Sequence, residues 1–224
     1  FALEATDVVP VAFEWTCEGV VPPAMEDREL HRSPDGYRVD ADIVRYHQTG
    51  VAHGWVEVDG ERTEIDRSSW FSTRDHSWGV RYMVGAPVAD VPTRGDVPGL
   101  ASLIIWSPML MEADSEPYAL HVFHQQHAVG GAVVRVTTQG GVEHPDGRRE
   151  PFVAVVPELE VDPVNRRVRG GVLHCTMADG RERPLTVSAL DETGFHLGAG
   201  LYFGFDDQWH GQYRGRLHVD GEHV

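Results

Sequence analysis

The sequence predicts an all-β chain of antiparallel strands, and three observations carry that expectation. The dominant hydrophobic period is two. The runs that show it are rich in Val, Tyr, Phe and Trp, and Asp-Gly pairs separate several of them. No amphipathic helix longer than about two turns is visible. Short strands spaced by turns indicate an antiparallel sandwich or barrel.

The first expected strand, Val9 to Thr16, has a mixed pattern. Gly54 to Val58 alternates more cleanly, with Trp55, Glu57 and Asp59 on one face and Val56 and Val58 on the other. Further strands are expected over Ser102–Trp106, Tyr118–Gln125, Ala132–Thr138, Phe152–Val156, Val168–Thr176, Arg183–Ala189 and Arg214–Val219. Turn signals lie at Pro34-Asp35-Gly36, Asp59-Gly60, Asp146-Gly147, Asp179-Gly180 and Asp220-Gly221. Asp-Gly suits a two-residue type I′ hairpin, where both central residues need positive φ. The run from Gly85 to Gly99 carries three prolines and three glycines and is the expected linker. Residues 100–224 then form a second domain, and residues 1–84 the C-terminal part of a first. An internal echo supports duplication: Gly50, Gly54 and Val58-Asp59-Gly60-Glu61 recur as Gly211, Gly215 and Val219-Asp220-Gly221-Glu222, each displaced by 161 residues (211 − 50). The first copy is the shorter, and the chain opens at Phe1, so we expect further residues upstream.

Charge narrows the function. The 224 residues hold 19 basic and 35 acidic side chains, a formal charge of −16, and every basic residue is arginine. Without lysine there is no Schiff-base, pyridoxal-phosphate or P-loop chemistry. The acidity argues against nucleic-acid partners and anionic membrane surfaces. No apolar run reaches the ~18 residues of a membrane span, and no signal peptide is visible. Cys17 and Cys175 are no disulfide framework, which points to a reducing, cytoplasmic setting. The oligomeric state is not legible.

The most informative motif is Arg74-Asp75-His76-Ser77-Trp78-Gly79-Val80-Arg81. On a strand, Arg74, His76 and Trp78 share one face while Asp75, Ser77 and Arg81 take the other. Histidine moves protons near neutral pH, and tryptophan offers an apolar wall whose face stabilises a cation. Three readings stand side by side: a network that ties two barrels together, a ligand pocket, or direct catalysis. In the catalytic version His76 is the acid or base and Asp75 orients it. Arg74, Trp78, Tyr82, Trp106 and His124 line the ligand. His121, His124 and His127 invite a metal reading, but zinc needs three or four converging ligands. On one strand His124 points away from the other two, so no metal and no cofactor are expected. Ser77 and Ser107 lack the context of a nucleophile elbow.

The motif, preceded by Tyr46-His47-Gln48-Thr49-Gly50 and Val58-Asp59-Gly60-Glu61, resembles the tandem lipocalin-like family of hydroxyneurosporene synthase (a carotenoid hydratase) and the AttH-like proteins. His210-Gly211-Gln212-Tyr213-Arg214-Gly215 resembles the second half of those proteins. The resemblance implies two lipocalin-like barrels or half-barrels, an apolar cavity, and a His-x-Trp pair near the domain junction that serves hydration of a terminal C=C bond. His76 and Trp78 match that pair. The family's downstream Tyr-x-Asp pair is missing, since the region reads Ser102-Leu103-Ile104-Ile105-Trp106-Ser107. The expected function is therefore binding of an apolar terpenoid, polyketide or lipid in a β-barrel cavity. Cofactor-independent hydration, isomerisation or cyclisation is the enzymatic version. A non-catalytic carrier or scaffold is the alternative.

Overall fold

Twenty consecutive residues in one strand organise the first half of the chain. The computed structural model describes residues 2–3, 10–33, 36–81, 84, 90, 98–113, 116–165, 167–189 and 209–216. The strands are β1 (Ala2–Leu3), β2 (Val11–Gly19), β3 (Ala24–Met25), β4 (Glu29–Arg32), β5 (Val39–Val58), β6 (Glu61–Ile65) and β7 (Phe71–Val80). The long β5 pairs along one side with β2, β3 and β4 and along the other with β6 and β7, all antiparallel. Its side chains alternate. Ala41, Ile43, His47, Thr49 and Val51 are buried, while Asp42, Val44, Tyr46 and Gln48 are half-buried on the opposite face.

The second half is a meander of β8 (Leu100–Ala113), β9 (Glu116–Val129), β10 (Ala132–Glu143), β11 (Arg149–Val161), β12 (Val168–Met177) and β13 (Glu182–Ser188). Each strand pairs antiparallel with the next, and the sheet curls into a half-barrel. The chain is thus all-β, with one antiparallel sheet from each half. The expected linker falls between them, although residues 85–89 and 91–97 lie outside the described residues.

The half-barrel has two unlike faces. One is apolar and holds the core: Leu120, Val122, Val142, Phe152, Leu173 and Met177, with Ile105 and Met109 against them. Burying each such side chain contributes roughly 1.5–3 kcal/mol. The opposite face carries Trp106, His121 and Glu143. Period two sets this division, because His121 alternates with Leu120 and Val122 along β9 and Glu143 follows Val142 on β10.

The turns differ in part from expectation. Asp59 (φ 51°) and Gly60 (φ 78°) make the expected two-residue hairpin between β5 and β6. Gly130 (φ 57°) and Gly131 (φ 85°) do the same between β9 and β10, a Gly-Gly turn the sequence reading passed over. The loops at Asp146-Gly147 and Asp179-Gly180 are longer than two residues, and only the glycine takes positive φ there. The strand expected at Arg214–Val219 is not formed over 214–216, where Gly215 sits at φ 105°. The echo also pairs unlike structures: Gly50 and Gly54 lie in β5, whereas Gly211 is in a turn and Gly215 outside any strand. Val219 to Glu222 and Asp220-Gly221 lie outside the described residues. No helix among the described residues is long and apolar enough to cross a membrane.

Candidate functional site

The two sheets meet on a buried cluster of histidines and carboxylates. From the first sheet come His47 on β5 and Glu26, one residue past β3. The Glu26 backbone N–H donates to the Arg45 carbonyl at 2.9 Å, which fixes it beside β5. From the half-barrel come Trp106 (β8), His121 (β9), Glu143 (β10) and Arg149 (β11). Register brings these together, since His121 is the Cα partner of both Pro108 and Gly141, and Glu143 is the partner of Arg149.

His47 is fully buried and bridges the halves, with Nδ1 3.0 Å from Glu26 Oε1 and Nε2 3.0 Å from Glu143 Oε1. Trp106 Nε1–H donates to Glu26 Oε1 at 3.1 Å, and Arg45 donates to Glu26 Oε2 at 3.1 Å. Arg149 donates to Glu143 Oε1 at 3.0 Å and to the Met25 carbonyl at 3.3 Å. The His121 ring lies 3.7 Å from that of His47, centroid to centroid. His121 is 1% exposed and its Nε2 has no hydrogen-bond partner; the nearest carboxylate oxygen, Glu26 Oε1, is 3.8 Å away. Glu143 Oε2 and Thr49 Oγ1 are also buried without partners.

Electrostatics divide the two histidines. For His47 burial opposes the charge, but the hydrogen bonds to Glu143 and Glu26 and their negative charges outweigh it and raise its pKa. His121 is pushed down to about 4, first by burial and then by the His47 cation beside it. Burial also works against the charge of Glu26, yet hydrogen bonds from His47 and Trp106 and the nearby positive charges hold it at about 2. Glu143 is lowered on the same balance, with burial opposed by its bond to His47. Both ring nitrogens of His47 face carboxylate oxygens at 3.0 Å, and an ionised carboxylate only accepts, so His47 carries both protons between Glu26 and Glu143, beside a His121 that burial leaves uncharged.

A cavity of about 310 Å³ opens beside the cluster, bounded by Glu26, His121, Gln139, Arg149, Glu150 and Phe152. Gly140 and Gly141 form part of its wall and lie close to β9 and β11. A Cβ on Gly140 would meet the His121 carbonyl oxygen at 1.9 Å, and φ there is 115°.

The residues singled out from the sequence fall in three places. Trp106 is in the cluster. Asp75 shares its face of the first sheet, opposite His47 in register and 4.0 Å from Arg45 Nε. Arg74, His76 and Trp78 lie on the other face of β7, against Gln48, Tyr46 and Val44. There the rings of Tyr46, His76 and Trp78 are 5.6–6.3 Å apart, the Arg74 guanidinium sits 5.4 Å from the Tyr46 ring, and Trp78 is 49% exposed. His76 is also exposed. His124 is buried but on the apolar side of the half-barrel, 3.4 Å from Thr138 Oγ1, and burial lowers its pKa. Tyr82 lies outside the described residues. Cys17 and Cys175 are both free.

The sequence reading missed Glu26, His47, Glu143 and Arg149 as site residues, and it found no convergence around His121. Within β9 that was correct. The convergence comes from another sheet: Glu26, His47 and His121 each offer one ligand atom, all within 4.8 Å of one another. One signal was present, since His47 has the parity of the buried Ala41, Ile43, Thr49 and Val51.

The model of a protein family of unknown function, DUF8625, matches residues 15–224. The chain belongs to this family. The DUF8625 match spans both sheets and nearly the whole chain. No curated protein and no solved structure matches it.

Proposed function

We propose that this member of DUF8625 binds a small neutral or cationic molecule in the cavity between its sheets and acts on it through the buried cluster. The observation that carries this reading is the His121 Nε2 atom: buried, without a partner, on a residue that borders the cavity. A buried polar atom left unpaired costs about 1–3 kcal/mol, so a chain that tolerates one gains from a ligand that satisfies it. The charge of the molecule follows from the walls. Glu26 is met by Arg45 and His47, Glu150 by Arg148 and Arg181, and Arg149 by Glu143, so the Asp27 carboxylate is the wall charge with no side-chain ion pair among the contacts described, and it disfavours an anion. Met25, Pro151 and Phe152 add apolar surface for the rest of the molecule. The uncharged His121 imidazole offers Nε2 as an acceptor to a hydrogen-bond donor of the molecule, and the Glu26 carboxylate beside it stabilises positive charge that develops there.

A second reading keeps the apolar terpenoid, polyketide or lipid on the opposite face of the first sheet. The open platform of Tyr46, His76 and Trp78, with Arg74 over Tyr46, supports it. Hydration there, as the carotenoid-hydratase resemblance implies, or isomerisation would use His76 as the acid.

Untargeted mass spectrometry of small molecules retained by the purified chain tests both. The cavity reading expects a retained molecule that is lost from His121→Gln at unchanged melting temperature and kept by His76→Ala. The reverse pattern favours the platform. Equal retention by both variants, or nothing retained, overturns both readings.

A further inference from the structure

The geometry points to a divalent transition-metal site, of the class that takes Zn²⁺ or Fe²⁺, formed by Glu26 Oε1, His47 Nδ1 and His121 Nε2. The inference deepens the cavity reading above: with His121 Nε2 ligating the ion, the open position of the ion meets the molecule in place of the imidazole, and the inference rests on that reading for the role of the metal. Two imidazoles and one carboxylate are a donor set that first-row divalent cations bind well. Ligand atoms about 2.0–2.1 Å from a tetrahedral ion stand ~3.3 Å from one another. The structure places His47 Nδ1 and His121 Nε2 at 3.0 and 3.8 Å from Glu26 Oε1, on either side of that value. Small side-chain adjustments bring all three to one ion.

The surroundings are those of a ligand shell. The far nitrogen of His47 faces Glu143 Oε1 at 3.0 Å, and Glu143 is itself held by Arg149. A carboxylate behind a ligating histidine fixes its ring and raises its basicity. Glu26 is oriented by Arg45 on one oxygen and Trp106 on the other. His121 Nε2 is the independent sign of a missing partner, since it is buried and makes no hydrogen bond. His124 Nε2 is also unpartnered, but it lies on the other face of β9 with no carboxylate beside it among the contacts described. The ion would displace the proton shared between His47 and Glu26. Three protein ligands leave a position open, and both Glu26 and His121 border the cavity. That is the arrangement of a metal that activates water or a substrate oxygen rather than one that only staples the fold.

Titration of the chelator-stripped chain with Zn²⁺ by calorimetry, and with Co²⁺ by visible absorption, tests the site. We expect one ion per chain. We expect affinity to fall by at least roughly 100-fold in Glu26→Gln and His121→Gln and by about 10-fold in Glu143→Gln, with no change in His174→Gln. His121→Gln removes no hydrogen bond made by Nε2, so its metal-free melting temperature stays near that of the parent and separates lost binding from lost folding. No binding even at millimolar metal, or unchanged affinity in His121→Gln, overturns the metal site. A small molecule still retained in a His121-dependent manner under those conditions leaves the cavity reading standing. One-to-one metal binding with no retained molecule supports the metal and removes the cavity reading.

Discussion

Strand β5 presents histidine-bearing neighbourhoods on both of its faces, and the two could hardly differ more. On one face His47 is wedged between sheets, touches two carboxylates and has no exposed surface. On the other, Tyr46 meets His76 and Trp78 in a row of rings open to solvent. The motif that stood out in the sequence, Arg74 to Arg81, contributes mainly to the open face. Burial, which sequence alone reveals only through parity, separates the two. A buried charged network is costly to break, whereas an exposed aromatic row contributes little to stability.

The contrast breaks most visibly on deletion of Glu143. Glu143→Ala removes one of the two carboxylates that hold the His47 cation and frees Arg149, and we expect a loss of about 3–5 kcal/mol in denaturant unfolding. A loss below about 1 kcal/mol would place the network outside the energetics of the fold.

Acid should act next. The His121 pKa is lowered from 6.5 to about 4 in the folded chain. The unfolded chain therefore takes up a proton there first, and stability falls as pH drops from 6.5 towards 4, by roughly 3 kcal/mol at most. His124, lowered by burial, adds to the same slope. His47 has a raised pKa, so its contribution is fully present below pH 6.5 and is lost as pH rises through its folded value. Glu26 and Glu143 begin to lose theirs only below about 4.5. Melting temperatures of metal-free protein between pH 6.5 and 4.5 should slope downward in the parent and flatten markedly in His121→Gln; parallel slopes would contradict the account.

Trp106→Phe keeps the ring and removes one donor to Glu26. A cost of about 1–3 kcal/mol is expected, with part of it recovered at low pH where Glu26 takes a proton. The smallest effect belongs to the open face, where His76→Ala should shift stability by no more than about 0.5 kcal/mol. A cost comparable with that of Glu143→Ala would make the platform structural after all.

Much of the fold was legible in the sequence. Period-two runs placed most of β2, β9, β10, β12 and β13 and the middle of β8 and β11, because alternation follows directly from a sheet with unlike faces; β7 entered only as the strand on which the Arg74 to Arg81 motif would sort its side chains. The twenty-residue reach of β5 was not, since polar residues interrupt the apolar pattern on both of its faces, Asp42 and Gln48 on the outer one and Arg45 and His47 on the inner one. With β5 read as only five residues, His47 had no face, and its parity with Ala41 and Ile43 stayed hidden. Of the site, Trp106 was legible as a ligand-lining residue and His121 as one of three candidate histidines, whereas Asp75 lies exposed at its edge, 4.0 Å from Arg45. Glu26 sits beyond a two-residue strand, and Glu143 pairs with His47 across 96 positions, a meeting made by the approach of two sheets and not by local spacing. The histidine trio of β9 illustrates the limit: one strand cannot show convergence with another, so His121 looked isolated until β5 lay against it.

The central claim is that the sheets meet on a charged His47 and an uncharged, unpartnered His121. Ring ¹⁵N resonances of the two histidines, recorded on chelator-treated protein as a function of pH, test it most directly. The account predicts that at pH 7 His47 carries protons on both nitrogens while His121 is neutral and takes up a proton only near pH 4. A His121 that titrates close to 6.5, the value of a solvated imidazole, or a His47 that is neutral at pH 7, would contradict it.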